Sequence, residues 1–123
     1  MYDFRFHITE GILEVRAAGL WTTETVTRYR EDLAREAARA RVQAGRLKLL
    51  FNATQASVQP QATADSLQRL DRVATGANDR VAVVVGASLP LLQARRLLAG
   101  WERTELFNSM DAARAWLNAL PAA

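Results

Sequence analysis

Val81-Ala82-Val83-Val84-Val85, followed at once by Gly86-Ala87-Ser88, is the stretch that decides the fold. Five consecutive apolar residues, four of them β-branched, show no alternation. They read as a strand covered on both faces, as in a parallel sheet between helices. Downstream, Pro90 stands near the first turn of a helix carrying Leu91, Leu92, Ala94, Leu97 and Leu98, which Gly100 ends. Thr104-Glu105-Leu106-Phe107 forms an edge-strand candidate. Asn108 or Ser109 then caps a final helix, with Asp111 in its first turn and Ala112, Ala113, Trp116, Leu117 and Leu120 on its apolar side. Trp116 is expected in the core.

Upstream of the valine strand, Leu67, Leu70, Val73 and Ala74 form the inward face of a helical pattern that begins after Pro60 and stops at Gly76-Ala77-Asn78-Asp79. Leu47-Lys48-Leu49-Leu50-Phe51 is a short strand expected to empty into a polar loop over residues 52–57. Before it, Val26, Tyr29, Leu33, Ala37, Ala40 and Ala44 recur at steps of three and four, with Thr22 or Thr23 as N-cap and Gly45 as the stop. The interleaved charges, including Glu24 with Arg28 and Glu31 with Arg35, solvate the outer face. At the N-terminus Phe4, Phe6 and Ile8 alternate with Arg5, His7 and Thr9. After Glu10-Gly11, Leu13, Val15 and Ala17 alternate with Glu14 and Arg16, and Gly19 closes the strand. Period-two patterns about a glycine turn predict an antiparallel hairpin. The expected fold is therefore α/β: one domain over residues 1–123, an N-terminal β-hairpin followed by βα repeats, with a mostly parallel mixed sheet and about four main helices.

Composition narrows the chemistry. The chain has 123 residues and no cysteine, which removes disulfides, thiolate metal sites and cysteine nucleophiles. The formal charge of +3 comes from fifteen Arg and one Lys against thirteen acids spread along the chain. Twenty-three Ala accompany them, so the bias reads as codon composition, not as a nucleic-acid surface. No apolar run approaches the roughly 20 residues of a membrane span, and residues 1–5 lack the pattern of a signal peptide. A cytoplasmic protein without stable membrane insertion is expected.

With the order ββαβαβαβα in place, the whole chain resembles the STAS superfamily, and within it the stand-alone bacterial domains akin to anti-sigma-factor antagonists. The likeness is carried by Gly19-Leu20-Trp21-Thr22 before the long helix, by the stretch from Leu47 to Asn52, by the Arg80 to Val85 strand, and by Phe107-Asn108-Ser109-Met110-Asp111-Ala112-Ala113-Arg114-Ala115-Trp116-Leu117. This resemblance implies a regulatory, protein-binding module. In the phosphorylatable antagonists the third strand ends in Asp, and an Asp-Ser-Ser-Gly type motif accepts phosphate. Here Asn52 replaces that Asp, the stretch reads Gln55-Ala56-Ser57-Val58-Gln59-Pro60, and Ser57 alone could stand in for the acceptor. Ser57 is accordingly expected to remain unmodified.

Ligands of open parallel sheets collect beyond the carboxyl ends of the strands. Those ends supply Asn52, Thr54, Gln55, Ser57, Gly86 and Ser88, which hydrogen-bond but include no strong acid, base or metal ligand. They form the candidate partner- or ligand-binding set. His7 is the single histidine, without partners that spacing can name, so no catalytic residue, metal or cofactor is expected. An anion site at Arg95-Arg96, or on the helix of Arg35, Arg39 and Arg41, is disfavoured in the latter case by its interleaved acids. Trp21, Trp101 and Trp116 raise the question of an interface, and Trp101, after the helix-ending Gly100, is the candidate. The expected function is a non-enzymatic interaction module with a protein partner, homodimerisation being compatible. The alternative is a binding module for a small apolar or lipid-like ligand held between the sheet and a mobile helix.

Overall fold

The computed structural model describes residues 1–68, 76–86 and 88–119, excluding the side chains of residues 68 and 88–90. Its elements run β1 (Tyr2–His7), β2 (Ile12–Gly19), α1 (Thr23–Ala44), β3 (Lys48–Ala56), α2 (Gln61–Gln68), β4 (Arg80–Val84), α3 (Ser88–Leu97), β5 (Thr104–Phe107) and α4 (Met110–Asn118). Five strands form one sheet in the order β1-β2-β3-β4-β5; β1 pairs antiparallel with β2, and the remaining pairs are parallel. The expected α/β domain is what the chain forms.

Strand order explains where the helices lie. Right-handed crossovers that always step in one direction place every crossing helix on the same face. α1, α2 and α3 therefore share one face, and α4, which crosses to no further strand, covers the other. The larger core lies beneath the first layer, joining Leu13, Val15 and Ala17 of β2, Leu49 of β3 and Val81 and Val83 of β4 to Val26, Tyr29, Leu33, Ala37 and Ala40 of α1. The smaller core joins Ile12, Leu50, Ala82 and Val84 to Ala113 and Leu117 of α4. β4 is buried on both faces, as the unbroken apolar run requires.

Local chemistry sets the boundaries. Thr22 Oγ1 accepts from the Thr25 amide at 3.1 Å, and Gly45 ends α1 in the left-handed conformation with φ +77°. Ser109 caps α4, accepting from the Ala112 amide at 3.2 Å. Strands lie about 4.8 Å apart and a helix is about 10 Å wide, so α4 alone cannot cover five strands. The uncovered outer face of the hairpin is charged, with Arg16 on Asp3 at 3.1 Å, and with Glu14 meeting His7 at 2.7 Å and Arg114 at 3.5 Å.

Several expectations change. Ile8 belongs to the turn and is exposed, because β1 ends at His7. β3 does not empty into a loop after Phe51; it continues to Ala56, since the long β2 pairs with it as far as Gly19 opposite Ala56. The register slips between Arg16 opposite Asn52 and Ala18 opposite Gln55, so β3 carries one extra residue there. Trp116 is half-buried and Ala112 exposed: α4 turns Ala113 and Leu117 to the sheet, and Trp116 packs on the rim beside Phe107 with the Arg80 guanidinium 4.6 Å over its ring. Leu70, Val73, Ala74 and Leu120 lie outside the described residues. No helix among the described residues is long and apolar enough to cross a membrane.

Candidate functional site

Trp21 is buried, not an interface residue, and holds the centre of an aromatic cluster. Its ring lies 5.5 Å from Tyr2, 5.2 Å from Tyr29 and 6.4 Å from Phe51, measured between centroids. Large rings on one side face small residues on the other: Ala17, Ala53 and Ala56 on the sheet, and Ala94 on α3, all fall at apolar positions. Rings and alanines do not interdigitate to full density. A cavity of about 140 Å³ remains between the sheet and the α1–α3 layer.

Its floor is Leu49, Val81, Val83 and Val85; its helical side includes Leu33, Leu67, Ala94 and Leu98. Among the described residues no charged side chain lines it. The polar side chains of the described lining include Ser57, Gln59 and Gln93. Gln59 donates its amide N–H to Gln93 Oε1 at 2.7 Å, and Gln93 Nε2 donates to the Gln59 carbonyl at 2.9 Å. Gln59 Oε1 accepts from the Trp21 amide at 2.8 Å, while its Nε2 donates to the carbonyls of Gly19 and Ser57. Thr63 Oγ1 donates to the Trp21 carbonyl at 2.9 Å. These bonds tie the end of β2, the segment before α2, and α3 into one frame around the cavity. Two of its lining residues carry a polar atom with no hydrogen-bond partner among the described residues. Trp21 Nε1 is buried with no hydrogen-bond partner among the described residues. The Tyr29 hydroxyl, in a residue 3% exposed, bonds to no described residue. Burial, and secondarily Tyr2, pushes that hydroxyl far above its ordinary pKa, so it stays neutral.

The expected site residues divide around this frame. Asn52 and Thr54 sit in β3 at the register slip, where Asn52 Oδ1 accepts from both the amide (3.1 Å) and the hydroxyl (2.7 Å) of Thr54. Gln55 is exposed on the same strand. Gly86 approaches Thr54, which a Cβ at Gly86 would meet at 3.9 Å. Ser57 is exposed yet lines the cavity, and Trp101 is half-buried in the cavity wall. Ser88 begins α3, and its side chain lies outside the described residues. Arg35, Arg39 and Arg41 are engaged by Asp32, Glu36 and Asp79. His7 has the partner that spacing did not reveal, Glu14 across the hairpin.

A second hollow of about 240 Å³ lies at the opposite end of the strands, lined by the hairpin turn, the end of α1, Arg46 and Lys48. There desolvation, with Arg46 nearby, lowers the pKa of the Lys48 amine, which donates to Asn118 Oδ1 at 3.0 Å. Glu10 lines it too, held by Arg114 at 2.7 Å and Asn118 at 2.9 Å, so the hollow carries both signs of charge. Among the described residues no group of three or more His, Asp or Glu could hold a metal ion.

Sequence reading missed Trp21, Tyr29, Gln59 and Gln93 as wall residues. The one available signal was the run of alanines at inward positions opposite aromatic ones. No family model and no curated protein matches this chain, so the reading of the site rests on its own geometry.

Proposed function

We propose that the protein is a non-enzymatic binding module for a small, uncharged, apolar ligand held between the sheet and the α1–α3 layer. The observation that carries this reading is the cavity of about 140 Å³, with no charged residue in its lining among the described residues. The described walls are built mostly of apolar side chains, and cavities of about 150 Å³ lined in that way take up a single aromatic ring. The module acts in the cytoplasm in this reading. Benzene titration followed by methyl and aromatic NMR tests it. Saturable shifts confined to Leu33, Val83, Leu98 and Trp101 are expected; no saturable shift, or shifts centred elsewhere, would overturn it.

A second reading, a STAS-type interaction module without a phosphorylation switch, draws on the resemblance and on the exposure of Thr54, Gln55 and Ser57 at the carboxyl edge of the sheet. Pull-downs with Ser57→Ala and Ser57→Asp should then recover the same protein partner equally. Opposite behaviour of the two variants would restore the switch.

A further inference from the structure

β1 lies at one edge of the sheet, and among the described residues no strand other than β2 borders it. Its register with β2 runs without interruption from Tyr2 opposite Ala17 to His7 opposite Ile12. At its start Met1 and Ala18 exchange both backbone bonds, at 2.9 and 3.2 Å. Such doubly bonded pairs alternate along an antiparallel ladder. Asp3, Arg5 and His7 therefore turn their N–H and C=O groups to β2, whereas Tyr2, Phe4 and Phe6 turn theirs to the open edge. β1 has neither the proline nor the bulge that commonly protects such an edge. Its side chains alternate in step: Tyr2, Phe4 and Phe6 are half-buried on the α1 face, and Asp3 and Arg5 are exposed on the other.

We propose that two copies of the chain pair through β1, antiparallel about a two-fold axis at Phe4, into one continuous sheet. In that register Tyr2 stands opposite the partner's Phe6, and Phe4 opposite the partner's Phe4, so every outward N–H and C=O of these residues finds a counterpart. Asp3 then stands opposite the partner's Arg5, at a pair without backbone bonds, where side chains approach most closely. Asp3 also holds Arg16 at 3.1 Å, and Arg5 lies opposite Glu14 in the register with β2, so charges alternate in sign across both hairpins. Moving the axis to Asp3 or to Arg5 sets like charges against each other and leaves the outward groups of Phe6 or Tyr2, respectively, unpaired. Charge and backbone bonding thus select the same register, and the strand is complementary to itself, as a two-fold contact requires.

Sedimentation equilibrium on the full chain should give twice the mass of one copy. In the same sample, amide hydrogen exchange followed by NMR should find Tyr2, Phe4 and Phe6 protected like Asp3 and Arg5, and losing that protection on dilution. Arg5→Asp and Asp3→Arg each set like charges across the axis and should weaken the dimer about tenfold. An equimolar mixture of the two variants restores opposite pairs and should recover it. A monomer throughout, or a dimer whose Tyr2, Phe4 and Phe6 amides exchange freely, overturns the proposal. So does a mixture of the folded variants that associates no more tightly than either alone. The exchange pattern is read on the unaltered protein, so it decides the case where a variant fails to fold.

Discussion

At the scale of single residues, Asp79 shows how one side chain closes a junction. Its carboxylate, 3% exposed, accepts from the Leu47 amide at 2.8 Å, the Gly76 amide at 2.9 Å and the Arg41 guanidinium at 2.9 Å. Burial pushes its pKa up, but those bonds outweigh burial and hold it below the ordinary carboxylate value. A depressed folded pKa means stabilisation that is fully present above the unfolded value near ~3.9 and lost as pH falls through the folded one. Asp79→Asn should cost about 3 kcal/mol at pH 7, and the difference from wild type should shrink below about pH 4. Urea titrations at pH 7 and pH 3 check this; an undiminished difference at pH 3 contradicts it. On α4 the half-buried Trp116 should matter less than the fully buried Leu117. Leu117→Ala is expected to cost about 2 to 5 kcal/mol and Trp116→Ala less, against the usual ranking by size. Urea midpoints of the two variants give the order.

At the scale of elements, α1 was legible at both ends because its signals are local. An N-cap hydroxyl and a left-handed C-terminal glycine act on backbone groups within four residues of themselves. Thr22→Ala should destabilise by about 1 kcal/mol and Gly45→Ala by about 1 to 2 kcal/mol, the latter because φ +77° is strained for any residue with a Cβ. The 22 residues of α1 separate the two sites by roughly 33 Å, so the double variant should lose the sum. Chemical denaturation of the three variants tests that additivity, and a double loss well short of the sum would mean that α1 frays as a unit. β3 was less legible. Polar residues from Asn52 onward look like a loop, yet β2 supplies a pairing partner as far as Gly19, and Asn52 satisfies the irregular backbone of Thr54.

At the scale of the whole molecule, the cavity trades packing for capacity. Filling such a space commonly gains about 0.5 to 2 kcal/mol and costs function. Ala94→Leu, on α3 in the cavity wall, should raise the thermal midpoint and abolish saturable benzene binding together. Higher stability with binding intact would place the ligand elsewhere. Unchanged stability would mean that the added methyl groups do not reach the space.

The element order, the antiparallel hairpin, the doubly covered β4 and the caps followed from the sequence by itself, because periodicity and capping are properties of neighbouring residues. The tertiary structure alone decided that α4 turns Trp116 to the rim, that His7 finds Glu14, that β3 runs to Ala56, and that the rings of Trp21 and Tyr29 border an unfilled space. Each depends on how far a helix sits above the sheet and which side chains meet across it. That distance is set by summed side-chain volumes from segments far apart in the chain, which no local pattern records.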